Sequence, residues 1–300
     1  AARKRQADFD GRGDTKYGVG VSVSIYCSGE CGIDQAQAAV ELLPDGKIAC
    51  YNTWEDHGQG SDMGALATVQ RGLAELKIKP EDIILIANDT AIAPNSGSAA
   101  GSRSQMVIGN AIFEACALLL KAMKKSHGTY RTYEEMKQAG IATYWLGSYS
   151  TADCCAAGDS ETFQFQKPPY PAYMYGVYLS EVEVDTKTGK TKVVKMTGAY
   201  DVGKICNRTV VDGQVYGGMA QGIGMALYED FEDLTKQNTL AKCGFPMIDV
   251  IPDDLLVLYT ETERPNSAYG CSGVGEVTTA GPHCSVINAI YDACGARIRE

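Results

Sequence analysis

Behind two glycines, in Gly273-Val274-Gly275-Glu276, stands the carboxylate best placed by residue type to accept a proton. It reads as the start of the last helix, where the helix dipole welcomes a carboxylate whether or not it does chemistry. Three further segments share this design: Asp56-His57-Gly58-Gln59-Gly60-Ser61, Ser96-Gly97-Ser98-Ala99-Ala100-Gly101-Ser102-Arg103, and Gly213-Gln214 running through Gly217-Gly218 to Gln221-Gly222. Each reads as a glycine-led helix start, which leaves backbone N–H groups exposed and lets a ligand approach without meeting a Cβ. Any one such loop is ordinary connection chemistry. Four together, carrying Gln59, Gln214, Gln221 and Arg103, read as a cradle for a large polar anion.

The familiar nucleotide fingerprints do not fit that cradle. Thr188-Gly189-Lys190-Thr191 has Val184 where a phosphate-binding loop needs its first glycine, and Gly18-Val19-Gly20 follows no strand and lacks the third glycine of a dinucleotide fold. The net charge of -10 argues against nucleic acid, because the one basic run is Arg3-Lys4-Arg5. No apolar run approaches the roughly 20 residues of a membrane span, and no signal peptide opens the chain, so a cytoplasmic protein with no membrane contact is expected. The 11 cysteines include the neighbours Cys154 and Cys155 and lack the short spacings of zinc or cluster ligands; they read as reduced thiols. The acidic groups Glu81-Asp82, 230–233 and Asp253-Asp254 lack the spacing of a calcium loop and read as solvated turns. His283 reads as a buried or capping histidine, and the tyrosines of 170–178 as packing.

The elements that must position these residues follow from periodicity. Val19, Val21, Val23 and Ile25 alternate as in a strand; 38–43 and 47–54 flank Pro44-Asp45-Gly46 as a hairpin. A helical pattern runs from Met63 to Ile78, ended by Pro80, then a short strand over 83–87 and a long apolar helix from Ile108 to Met123. The stretch 127–171 is irregular and marks a boundary between halves. Beyond it, 177–184 and 191–200 form a second hairpin, followed by helices over 213–229 and 273–294. Residues 1–16 read as a tail, 17–165 as a first subdomain and 166–300 as a second that carries Glu276; the class is α+β, mixed two-layer sheets and helices. The ends read as those of a piece of a longer chain.

In this order the four motifs resemble the second molybdopterin-binding domain of molybdenum hydroxylases, the aldehyde oxidoreductase and xanthine dehydrogenase family. The resemblance spans about 17–298, and the Asp-His form of the Gln-Gly loop with the Gly-Ser-Arg form of the serine loop is most similar to bacterial aldehyde oxidoreductases. It implies molybdopterin, with a cytosine dinucleotide tail, whose dithiolene holds molybdenum so that no protein side chain ligates the metal. Gln59 then lies near the metal's oxo ligand, and His57, Gly58 and Gly60 bind the cofactor beside it. Gly97, Ser98, Ser102 and Arg103 hold the pterin and phosphate part, Gln214 bonds the pterin, and Gly273, Val274 and Gly275 complete the cradle. Gln221 is counted with the cofactor-binding residues through its motif, with helix support as its favoured role, and loop bracing is set aside for Gln59.

By the same resemblance Glu276 is the base that deprotonates Mo–OH for attack on an aldehyde or an N-heterocycle, with water as the oxygen source. Iron-sulfur clusters on a partner domain or subunit take the electrons, and a first molybdenum domain covers the metal and selects the substrate. These 300 residues alone are therefore not expected to turn over. A homodimer of the complete enzyme is compatible with this picture. Two other readings stay open on the residues themselves: a non-catalytic assembly or binding module of the same fold, and a nucleotide-binding transferase.

Overall fold

The alternating Val19, Val21, Val23 and Ile25 lie in a long strand, β1 (Thr15–Ser28), of the computed structural model, which describes residues 1–9, 13–154 and 167–299. β1 pairs antiparallel with β6 (Ala172–Asp185) from end to end, Thr15 opposite Asp185 and Ser28 opposite Ala172. β6 turns back into β7 (Thr191–Asp201), and β8 (Asp254–Thr260) lies parallel to β7, giving the order β1-β6-β7-β8. The other sheet runs β4-β3-β2-β5. It joins the expected hairpin of β2 (Gln35–Leu42) and β3 (Ile48–Asn52) to a parallel β4 (Ile83–Ala87) and an antiparallel β5 (Tyr144–Ser150). The α+β class read from the sequence is the one observed.

Helices close one face of each sheet. α2 (Ser61–Gly72) packs on α3 (Ser104–Met123), and α3 lies across β2 and β5. By length and composition α3 is apolar enough to cross a membrane, contrary to the sequence expectation. Its apolar side chains are used inside the domain: Val107, Ile108, Ile112, Cys116 and Leu119 are wholly buried in one cluster with Val40, Ile48 and Cys50. On the other sheet, α6 (Pro282–Cys294) packs against β1 and β6, and α5 (Arg208–Leu227) packs against α6. Gly18 and Gly20 let α6 approach: a Cβ on them would lie 2.0 Å from the Ala289 carbonyl oxygen and 2.1 Å from that of Ser285. That pair of glycines serves helix–strand packing.

Several expectations need correction. The cut at 165/166 lies outside the described residues, as does Cys155, and the sheets do not follow it, since β1 joins the strands that come after. The irregular 127–171 stretch contains a short helix, α4 (Tyr133–Gln138), and β5, which completes the first sheet. β8 was not foreseen at all. The supposed tail contains α1 (Ala2–Phe9), which buries none of its residues and so shows no periodicity. What holds it is charge: Arg5 donates to Glu181 at 2.7 and 2.5 Å, and the Tyr17 hydroxyl donates to the same wholly buried carboxylate at 2.7 Å.

Candidate functional site

The two halves meet at a cleft of about 310 Å³, at the lower end of small-molecule sites. Its walls are the Gln59 loop, the segment from Ala99 to Gln105, the segment leading into α5, and the run from Cys271 to Glu276. Of the residues chosen from sequence, His57, Gln59, Gly60, Ser102, Gln214, Gly273, Val274, Gly275 and Glu276 line it. Gly58, Gly97, Ser98, Arg103 and Gln221 do not.

Glu276 is held by contacts from three distant segments. Its Oε2 accepts from Ser102 Oγ at 2.5 Å, and its own N–H donates to that Oγ at 3.2 Å. Ser102 takes a left-handed φ of 48°, a strained conformation for a non-glycine residue. Gly273 packs against it so closely that a Cβ would sit 1.9 Å from the Ser102 carbonyl oxygen. Ser28 Oγ, at the end of β1, donates to that carbonyl at 3.0 Å and accepts from the Gly273 N–H at 3.2 Å. Behind Glu276, the Val277 carbonyl accepts from the hydroxyls of Tyr178 and Ser24.

Glu276 does not begin the last helix. It is the first residue of a three-residue 3-10 turn (Glu276–Thr278), and α6 starts at Pro282. A helix dipole therefore gives no account of the carboxylate, and the bland reading loses its physical basis. Tyr26 on β1, which the sequence reading missed, stands close enough to the same carboxylate to feel its charge. Burial first, then the charge and hydrogen bond of Glu276, push its hydroxyl up to about 12, so it remains a donor at neutral pH.

The Gln59 loop is organised from within. Gln59 Oε1 accepts from the His57 N–H at 2.5 Å and its Nε2 donates to the Glu55 carbonyl at 2.7 Å, so its amide does the bracing that the sequence reading had set aside. Asp56 takes the N–H groups of Gly58 at 2.7 Å, Gly60 at 3.3 Å and Asp62 at 3.1 Å, and thereby caps α2 in place of Gly60, which has no side chain for it. Although burial raises its pKa, these backbone donors outweigh it and hold the carboxyl below the usual range. Asp56→Ala should cost about 1 kcal/mol of stability, as loss of a helix cap does, read as a lowered melting temperature. Because the folded pKa is depressed, this contribution is full above the unfolded aspartate's pKa and fades as pH falls through the folded one. Wild type and variant should converge in stability in acid.

Arg103 is a correction. Its guanidinium makes a bidentate pair with Asp34, 2.7 Å for each bond, and donates to the carbonyls of Ser96, Ser98 and Gln35; it is 1% exposed. Every face of the fork is engaged, so it has no donor for a phosphate. Gly97 makes room for it, since a Cβ there would lie 2.9 Å from the guanidinium nitrogens. Ser98 turns away to donate to Glu30 at 3.2 Å. Gln221 is exposed on α5 away from the cleft, and Gly213, Gly217, Gly218 and Gly222 lie inside that helix, because Asn207 starts it by accepting the Val210 N–H. Gly218 and Gly222 let Thr278 and Pro282 pack at backbone distance. The cleft also contains Trp54, Gln105 and Lys204, which no motif signalled.

Three loops and the Gln214 face of α5 thus surround one partly buried carboxylate at a cleft of small-molecule size, the arrangement of a domain that binds a polar cofactor. The family model of the molybdopterin cofactor-binding domain matches residues 1–252, and this chain belongs to that family. It is 46% identical over 283 residues to the aldehyde oxidoreductase of Megalodesulfovibrio gigas, covering 94% of this chain and 31% of that protein. The crystal structure of the aldehyde oxidoreductase from Desulfovibrio desulfuricans superposes with a TM-score of 0.94 at 46% identity, over 99% of this chain and 32% of that one. A probable hypoxanthine oxidase of Escherichia coli is 29% identical over 96% of this chain and 31% of its own length. The chain thus spans about a third of the length of these relatives.

Proposed function

We propose that this chain is the cofactor-binding and base-carrying part of a molybdenum hydroxylase that oxidises an aldehyde with water as the oxygen source. It would act with a first molybdenum domain and with iron-sulfur domains or subunits. The observation that supports this most is the carboxylate of Glu276 at the cleft, held by Ser102 on a backbone that Gly273 alone permits.

The lining fits a pterin cofactor. Gly275 leaves its surroundings open, with nothing nearer to a Cβ than Ser102 Oγ at 3.7 Å, and the Gln214 Oε1 stands 3.9 Å from the same point. Among the described residues the Gln214 amide has no partner, so it is available to a ligand. Molybdopterin, with a cytosine dinucleotide tail in this reading, would supply the two-electron redox centre. The chain's own part is to hold that group with Gln214, His57 and the 273–275 backbone, and to move one proton. Ser102 fixes Oε2 of Glu276, leaving Oε1 to take the proton of the hydroxyl that attacks the substrate carbon. Arg103 and the Gln59 amide keep two walls of the cleft in shape.

Metal and pterin analysis of the intact protein tests this directly. Molybdenum and a pterin nucleotide close to one per chain are the expected result. Their absence from every active or freshly matured preparation would leave the rival reading, a binding module of the same fold.

A further inference from the structure

Cys206 and Cys271 both lie in the wall of the cleft, and nothing in the proposed chemistry uses them. The segments that carry them are clamped together: the Lys204 N–H donates to the Gly270 carbonyl at 2.8 Å, the Ser272 N–H to the Val202 carbonyl at 3.0 Å, and Gly203 bridges Cys271. Cys271 is 1% exposed, whereas Cys206 is half-buried and reachable from the cleft. The third member is Arg71 in the last turn of α2, whose guanidinium lies 4.5 Å over the Tyr269 ring and whose charge acts on the Cys206 thiol. Tyr269 is in turn fixed by donating to the Thr68 carbonyl at 3.1 Å.

This arrangement splits the two thiols. The hydrogen bond donated by Cys271 comes first in holding Cys206 below the ordinary thiol range, the Arg71 charge adds to it, and burial opposes both. Cys271 moves the other way, because it gives that hydrogen bond and is buried. Cys206 is thus the more acidic thiol and Cys271 its protonated neighbour, the pattern of a reactive thiol beside a resolving one.

We propose that Cys206 and Cys271 are a peroxide-sensitive dithiol that closes to a disulfide across two walls of the cleft. The Cys206 thiolate attacks hydrogen peroxide, forming an S–O bond and breaking O–O, which gives a sulfenic acid and hydroxide. Cys271 then attacks that sulfur: S–S forms, the S–O bond breaks, and its thiol proton leaves with the oxygen as water. Two thiols lose two electrons, and one peroxide becomes two waters. The bond would tie the segment ahead of α5 to the segment ahead of Glu276. It does not depend on which cofactor the cleft holds.

The intact protein is treated with rising hydrogen peroxide, blocked with iodoacetamide and mapped by peptide mass spectrometry. The expected result is a Cys206–Cys271 linked peptide at peroxide levels that leave the exposed Cys284 and Cys294 free, reversed by dithiothreitol. Without peroxide, Cys206 should alkylate at pH 7 about tenfold faster than Cys284, and Arg71→Gln should remove most of that excess. In Cys271→Ser the sulfenic acid should persist and be trapped by dimedone. The proposal is overturned if Cys284 or Cys294 oxidises while Cys206 stays free, if Cys206 pairs elsewhere, or if Arg71→Gln leaves its alkylation rate unchanged.

Discussion

Glu276→Gln is expected to retain the cofactor and lose turnover by about 10²- to 10⁴-fold, the range over which a positioned general base acts. The substitution is chosen to keep everything except the proton acceptor. A glutamine oxygen can still accept from Ser102 Oγ, the 3-10 turn stays anchored by the Val277 carbonyl, and Gly273 keeps its contact with Ser102. Cofactor content measured on the same sample separates loss of chemistry from loss of binding. Turnover within about twofold of wild type would remove Glu276 from the role of base. Ser102→Ala makes the graded companion: it frees the carboxylate while leaving it ionisable, so a smaller loss, roughly tenfold, is expected together with an altered pH profile. Tyr26→Phe should fall in the same intermediate class, because Tyr26 acts on the carboxylate without lining the cleft.

How far this site was legible in the sequence depended on what each residue does with its neighbours. Strands with alternating residues, such as β1, and the hairpin around Pro44-Asp45-Gly46 announce themselves by period and turn chemistry. β8 alternates in exposure but not in residue type, since Leu255 to Tyr259 is an unbroken apolar run behind acidic residues, and it gains its place only by pairing with β7, each partner 59 positions earlier, Lys195 opposite Asp254. Glycine was the most ambiguous letter. In Gly273 it signals a close approach at the site, whereas in Gly18, Gly20, Gly218 and Gly222 the same property serves helix packing far from the chemistry. The glutamines divided likewise: Gln214 faces the cleft, Gln59 faces it with its amide turned to its own loop, and Gln221 faces solvent. Tyr26 and Lys204 belong to no motif, so only the fold could bring them to the site.

Arg103→Met carries the second large effect, and it distinguishes structure from ligand binding. A phosphate-holding arginine would be dispensable to the cofactor-free fold, and its loss would lower cofactor content alone. The geometry predicts the reverse. Removing the guanidinium strands Asp34, which is buried, and strips donors from the Ser96, Ser98 and Gln35 carbonyls at once. Losing one partner of such a pair costs about 3–5 kcal/mol, because the other charge is left without compensation in a site that water does not reach. Cofactor-free protein should therefore melt on the order of 10 °C lower, with any cofactor deficit following from the collapsed serine loop. The double variant Asp34→Leu with Arg103→Met tests the cause. With both charges gone no uncompensated group remains, so stability should recover in part even though every hydrogen bond of the pair is lost. A cofactor-free Arg103→Met protein as stable as wild type would return Arg103 to the ligand and take the buried pair out of the account of how Ser102, and through it Glu276, is held.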